Sequence, residues 1–365
     1  APVPRSAVKV NAAVAAALAQ PRPPLEAPPF CQAKARPIAL ERSTKIVGNG
    51  QFARAAGDSV ALKTSPELDG DTLALAAALV DEMQLGRRAA PDVLAISLSA
   101  TDYVGHAYGT EGEEMCLQLL ELDREIGDFL AVLDSRHIDY SVALTADHGG
   151  LDIPERLRLA GMPQAARSLP DMATKAMGAK LVQQLGLTGP GLLGNSSFGD
   201  VYVDRNLAPK DRERLIAAAV AAYRAQPQTQ AVFTAKEIAA TPMPTGSPVN
   251  WTPIQRARAS YYPGRSGDFL LVLKPEITPI PEPAGPYVAT HGSVWDYDRR
   301  VPILFWRPGV AGMAVESAAD TTDIMPTLAA TIGLPVAPSS IDGHCLSQVA
   351  VCAAPIASAP ERGRR

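Results

Sequence analysis

Only five histidines occur in this 365-residue chain, and three of them stand beside aspartates in short, glycine-flanked stretches. Asp102 and His106 are spaced Asp-x-x-x-His, Asp147 and His148 are adjacent in DHGG, and His291 sits in THGS with Asp296 and Asp298 a few residues on. Imidazole nitrogen and carboxylate oxygen are the ordinary ligands of Zn²⁺ at about 2.0–2.2 Å, usually four to an ion. Two such ions about 4 Å apart clamp the attacking and leaving oxygens of a displacement at phosphorus. That chemistry needs about six mixed His and Asp ligands, on loops that leave the backbone room. Gly105, Gly149 and Gly292 supply the room. A lone Asp-x-x-x-His is a weak pattern. Two such stretches at the ends of consecutive strand-like runs point to a metal far more strongly than either does alone. His137, in SRHID at the end of a helical pattern, reads as an electrostatic cap. His344, in DGHCL, reads as a surface or packing residue.

The elements that must position these residues follow from periodicity. TLALAAALVDEMQLG (72–86) is rich in helix formers and closes on a glycine suited to a helix end. DVLAISL (92–98) is a nearly continuous apolar run, as in a buried parallel strand. Met115, Leu119, Leu122, Ile126, Phe129, Leu130 and Leu133 mark one face of a helix over 113–136. YSVALT then forms the next strand. Strand, helix, strand is the grammar of a doubly wound sheet, in which ligands gather beyond the carboxyl ends of the strands. Residues 151–200 read as irregular. VYVD, a helix near 210–224, QAVFT and DFLLVL form a small β-α-β-β unit, read as an insertion over 185–285 within a main domain covering 46–365. The strand VPILFW and a helix near 322–332 return the chain to that domain. Residues 1–45 are Ala/Pro-rich, with a short helix over 12–19 and an extended connection, and the tail from Val349 is expected to fray.

Composition excludes several classes. The charge is −4 with no basic stripe, against a nucleic-acid binder, and no apolar run reaches the length of a membrane span. A small soluble substrate fits. The four cysteines lack C-x-x-C spacing. Cys116, on an apolar helix face, reads as a buried small hydrophobe, whereas Cys31, Cys345 and Cys352 include candidates for a disulfide that sequence cannot pair.

LAISLSATDYVGHAYG, LTADHGGLDIPER and ATHGSVWDYDRRVPILFW closely resemble the alkaline phosphatase superfamily. They are most similar to its bacterial phosphate-monoesterase branch, near the type I nucleotide pyrophosphatase/phosphodiesterases. The resemblance implies an α/β sandwich with a mostly parallel central sheet and two zinc ions. Asp102, His106 and His291 would hold one ion, and Asp147 and His148 would hold part of the second. It implies hydrolysis of phosphate monoesters, with diesters as a side activity, by attack of a zinc-activated Thr or Ser, in a periplasmic or secreted parent. The match begins partway along the family's length. The nucleophile, one zinc ligand, the phosphate-gripping Lys and Arg, and the first strands are expected to lie outside this chain. Ser97, Ser99 and Thr101 read as packing residues rather than substitutes for the nucleophile. A non-catalytic metal-binding module, one part of a split enzyme, and a diesterase or sulfatase cousin remain as alternatives. Substrate, oligomeric state and the choice of zinc over another divalent ion stay open.

Overall fold

Leu73, Ala76 and Val80 recur at three- and four-residue steps, and they form the buried stripe of a helix at Glu67–Glu82 in the computed structural model, which describes residues 2–194 and 196–352. Glu67 and Asp69 lie in the first turn, where carboxylates complement the helix dipole. The helix starts and ends earlier than the 72–86 run predicts. Gly86, at φ 72°, serves the turn beyond it. Against this helix packs Arg5–Leu18, whose first-turn amides at Arg5 and Ser6 are capped by the Glu82 carboxylate at 2.9 and 2.6 Å. The expected 12–19 helix is therefore longer, because a distant carboxylate satisfies its opening N–H groups. Glu113–Ser135 runs as one 23-residue helix with Met115, Leu117 and Leu133 buried, while Leu119, assigned to the same face, is half exposed.

The α/β class holds, but strand pairing departs from expectation. Residues 92–98 pair with no strand among the described residues, and Val93 and Leu94 are exposed. A continuous apolar run says only that both faces need cover. It cannot supply the neighbouring strand. Val142–Thr145 pairs antiparallel with Ile303–Trp306, Thr145 opposite Ile303 and Val142 opposite Trp306. The one parallel ladder among the described residues joins Ala166–Arg167 to Ile277–Thr278. A mostly parallel sheet is thus not what these residues form.

That short parallel ladder brackets a smaller antiparallel unit. Between its two strands lies a four-stranded antiparallel sheet in the order Leu192–Leu193, Gly199–Val203, Phe269–Leu273, Thr229–Thr234. The helices Thr174–Leu185 and Pro209–Arg224 cover it. Met172, Met177, Leu181, Val201, Leu215, Tyr223, Phe269 and Leu271 share its core, the largest among the described residues. Thr174–Leu185 corrects the reading of 151–200 as irregular. Met177 and Leu181 repeat at helical spacing, and Gly186 closes the helix in the left-handed region. Pro154–Leu159 is a second helix there.

Cys31 is bonded to Cys116, and Cys345 to Cys352. The reading of Cys116 as an unbonded hydrophobe is corrected. Burial and cross-linking are compatible, and this disulfide sits among Phe52, Val104, Met115 and Leu117. The expected fraying tail lies, beyond residue 352, outside the described residues.

Candidate metal centre

Asp102 and His106 stand on a helix, Ala100–Tyr108, not in the loop expected after a strand. One helical turn apart, they share a face. The helix begins where it does because Asp69, fully buried, accepts the Ala100 N–H at 2.9 Å. Gln118 Nε2 holds the other Asp69 oxygen at 3.0 Å. Gly109, at φ 87°, ends the helix. The His106 backbone carbonyl accepts the Val288 N–H at 2.7 Å, and its ring Nδ1 lies 2.7 Å from the Ala289 carbonyl. The Nδ1 contact leaves Nε2 facing Asp102 Oδ1 at 3.3 Å.

His148 follows the strand Val142–Thr145. Its Nδ1 is held by the Gly149 carbonyl at 2.8 Å, and its Nε2 lies 3.6 Å from Asp147 and 3.8 Å from Asp102. The Asp147 side chain is largely exposed. His291 Nε2 lies 3.3 Å from the same Asp102 oxygen. The rings of His148 and His291 are stacked, centroids 3.4 Å apart. His106 lies 5.0 Å from His291 and 4.5 Å from the ring of Tyr287.

Burial pushes the Asp102 carboxyl up, but the hydrogen bond from His291 and the nearby imidazoles outweigh it, and the net shift is downward. The same hydrogen bond raises His291 above its ordinary value against the opposing effect of burial. Three imidazoles therefore converge on one carboxylate oxygen, and donor atoms of Asp102, His148 and His291 all lie within 4.8 Å of one another. Nδ1 atoms tied to carbonyls with Nε2 atoms free are the usual arrangement of metal-binding histidines. The donor set fits a divalent cation of the zinc type. This close group takes one residue from each of the three stretches, crossing the two ligand sets the resemblance implied, with His106 and Asp147 at its margin.

Thr101 accepts a bond from Gln118 at 3.3 Å, in keeping with a packing role. His137 has φ 52° in the turn after its helix, and His344 is exposed beside Asp323, so neither joins the centre. Sequence reasoning did not find Asp69, Gln118 or Arg167 as supports of these loops. Asp69 stands between Glu67 and Asp71 in ELDGDTLAL, and nothing in that stretch marks it as the fully buried one.

The family model described as type I phosphodiesterase / nucleotide pyrophosphatase matches residues 28–294. Alkaline phosphatase PhoK of Sphingomonas sp is 50% identical over 94% of this chain and 61% of its own length. Alkaline phosphatase PhoD of Zymomonas mobilis subsp. mobilis is 45% identical over 83% of the chain and 53% of its own. The chain thus spans about half to three-fifths of these curated relatives. The crystal structure of wild-type alkaline phosphatase PafA superposes with a TM-score of 0.75 at 22% identity, covering 95% of this chain and 66% of that one, a likeness of fold. The chain belongs to the type I phosphodiesterase / nucleotide pyrophosphatase family, within the alkaline phosphatase superfamily.

Proposed function

We propose that this chain carries metal-holding machinery of a zinc-dependent alkaline phosphatase that hydrolyses phosphate monoesters. Asp102, His106, Asp147, His148 and His291 are its ligands. The observation that carries the reading is the convergence of three imidazole Nε2 atoms on Asp102 Oδ1. Relatives that are themselves named alkaline phosphatases support the choice of reaction. Zinc, when bound, supplies positive charge to the phosphoryl and leaving-group oxygens. The chain's own residues do the rest. The His106 and His148 rings are locked by carbonyls at Nδ1, so their Nε2 atoms keep one direction. The Lys63 ammonium lies over the Tyr103 ring at 4.0 Å, beside the Asp102 helix, and adds a cation suited to a phosphate ester.

The substrate is a small soluble phosphate ester, and nucleic acid is not its partner. Two disulfides favour an oxidising compartment, in support of a periplasmic or secreted location. No helix among the described residues is long and apolar enough to cross a membrane.

The test is zinc stoichiometry after dialysis, followed by hydrolysis of an aryl phosphate monoester and diester at alkaline pH. The native protein should retain zinc, and His291→Ala should release it, because the remaining donors cannot complete four-coordination. Unchanged stoichiometry in His291→Ala overturns the ligand assignment. Chelator-sensitive turnover should favour the monoester. Faster diester turnover would instead assign a phosphodiesterase.

A further inference from the structure

Two of the three ligand stretches meet at a residue that is not itself among the ligands. Asp298 is buried, 4% exposed, in the short helical turn Asp296–Arg299. Its side-chain Oδ2 accepts the Ser293 N–H at 2.7 Å, two residues beyond His291. Its backbone carbonyl accepts the Gly149 N–H at 2.8 Å, one residue beyond His148. One residue thus hydrogen-bonds both loops whose imidazoles stack.

The turn that carries Asp298 is held from several sides. Trp295 Nε1 donates to the Leu273 carbonyl at 3.0 Å, fastening it to the inserted sheet. Arg256 donates to the Val294 carbonyl at 2.7 Å and pairs with Asp296 at 3.1 Å. The Gly149 backbone lies so close to this turn that a Cβ there would overlap the Tyr297 carbonyl oxygen. A post fixed in this way transmits its position to what it holds. Asp298 Oδ1 is buried with no hydrogen-bond partner among the described residues. An anionic oxygen left without a partner is costly unless positive charge lies near. A divalent cation held by His148 and His291 would add positive charge near it.

Resting on the metal-centre reading above, we propose that Asp298 is the positioning residue of this centre, clamping the His148 and His291 loops in the geometry that binds the cation and offsetting the cation's charge. Partners of metal ligands typically contribute 10- to 100-fold in metal affinity.

The experiment measures zinc affinity of the folded, metal-free protein by competition with a chromophoric chelator. Asp298→Ala should bind zinc about 10–100 times more weakly than the native protein. Asp298→Asn keeps an acceptor for Ser293 and should fall between the two. A merely structural role would lower thermal stability without changing zinc affinity in the variants that still fold. Asp298→Ala within threefold of native affinity overturns the proposal. Native protein that binds no zinc overturns the metal centre itself, so the two failures are separable. Should Asp298→Ala not fold, amide exchange in native metal-free protein decides. The Gly149 and Ser293 amides should be protected, and exchange at open-loop rates overturns the clamp.

Discussion

Replacing Arg167 with Met should destabilise the protein more than most single substitutions, and the loss should depend on pH. Arg167 is 1% exposed. It donates to Glu155 at 2.7 and 3.0 Å, to the Val288 carbonyl at 2.9 Å and to the Ile280 carbonyl at 3.2 Å. Val288 in turn donates to the His106 carbonyl, so the guanidinium is two hydrogen bonds from the backbone of His106. Without it, the buried Glu155 carboxylate keeps only the Glu41 N–H at 2.9 Å. Removing one partner of a buried pair costs about 3–5 kcal/mol, against a total stability of about 5–15 kcal/mol. With a urea dependence of about 3 kcal/mol per molar, the midpoint should fall by about 1–1.7 M.

The sign of the pH effect follows from Glu155. Burial pushes its carboxyl up, but Arg167 and the Glu41 N–H outweigh burial and leave it below 4.5. The native pair therefore contributes fully above that value, and its contribution is lost only as pH falls through the lower folded one. In Arg167→Met burial outweighs the remaining Glu41 N–H, Glu155 takes up a proton, and the variant should recover stability on going from pH 8 to pH 5. Adding Glu155→Gln to that variant should restore much of the loss at pH 8. A cost below about 1 kcal/mol at pH 8, or one that is the same at both pH values, would refute the reasoning.

Burial pushes the Glu125 carboxyl up to about 7, from 4.5 in the unfolded chain. Its folded form prefers the proton, so stability falls as pH rises between these values; Glu125→Gln should gain up to about 3 kcal/mol at pH 8 and little at pH 4, read from urea midpoints. Cys31 and Cys116 are 85 positions apart. Replacing both with Ala should cost about 4–5 kcal/mol by the loop-entropy relation, and reduction of the native protein should cost at least as much, because it also opens Cys345–Cys352. Gly149→Ala, forced against the Tyr297 carbonyl, should weaken zinc at least about tenfold in the same chelator competition. Gly127→Ala, mid-helix with nothing near its Cβ position, should instead raise stability by about 0.5–1 kcal/mol and leave zinc affinity unchanged.

Local chemistry was legible where it is written into neighbouring residues. The Glu113–Ser135 helix and the strands at Val142–Thr145, Gly199–Val203, Thr229–Thr234 and Phe269–Leu273 follow from period and turn residues, whereas the strand Leu192–Leu193 and the helices Ala235–Ala240 and Pro253–Ser260 were not expected. The structure brings His106, His148 and His291 together and leaves His137 and His344 apart, a separation that an adjacent aspartate and glycine alone do not give, since His344 follows Asp342 and Gly343. What was not legible depends on partners far along the chain. Residues 92–98 have a strand's composition, but a strand requires a neighbour, and the sequence of one segment does not specify it. Asp102 and His106 read as a loop because the helix that carries them is nine residues long and is started by a distant Asp69 rather than by a local cap. Cys116 hid its disulfide because an apolar helix face is consistent with either state.

Three buried supports of these segments share a physical character. Asp69, Arg167 and Asp298 are charged residues at 0%, 1% and 4% exposure, and each hydrogen-bonds the backbone of a segment bearing ligands or leading into one. Apolar packing is non-directional and leaves a loop free to slide by fractions of an ångström. A buried ionic group fixes a specific N–H or carbonyl in direction as well as distance, because leaving it unpaired is costly. A centre that must hold three imidazoles around one oxygen needs that directional precision more than it needs added stability. Among the described residues the largest apolar core lies between Met172 and Ile277, whereas Asp69, Arg167 and Asp298 brace the segments of the proposed centre, a division expected if the first supplies stability and the second supplies geometry. On this view a substitution in the inserted core, such as Leu215→Ala, should lower the unfolding midpoint while leaving zinc affinity in the folded protein unchanged, whereas substitutions at the ionic supports should move both.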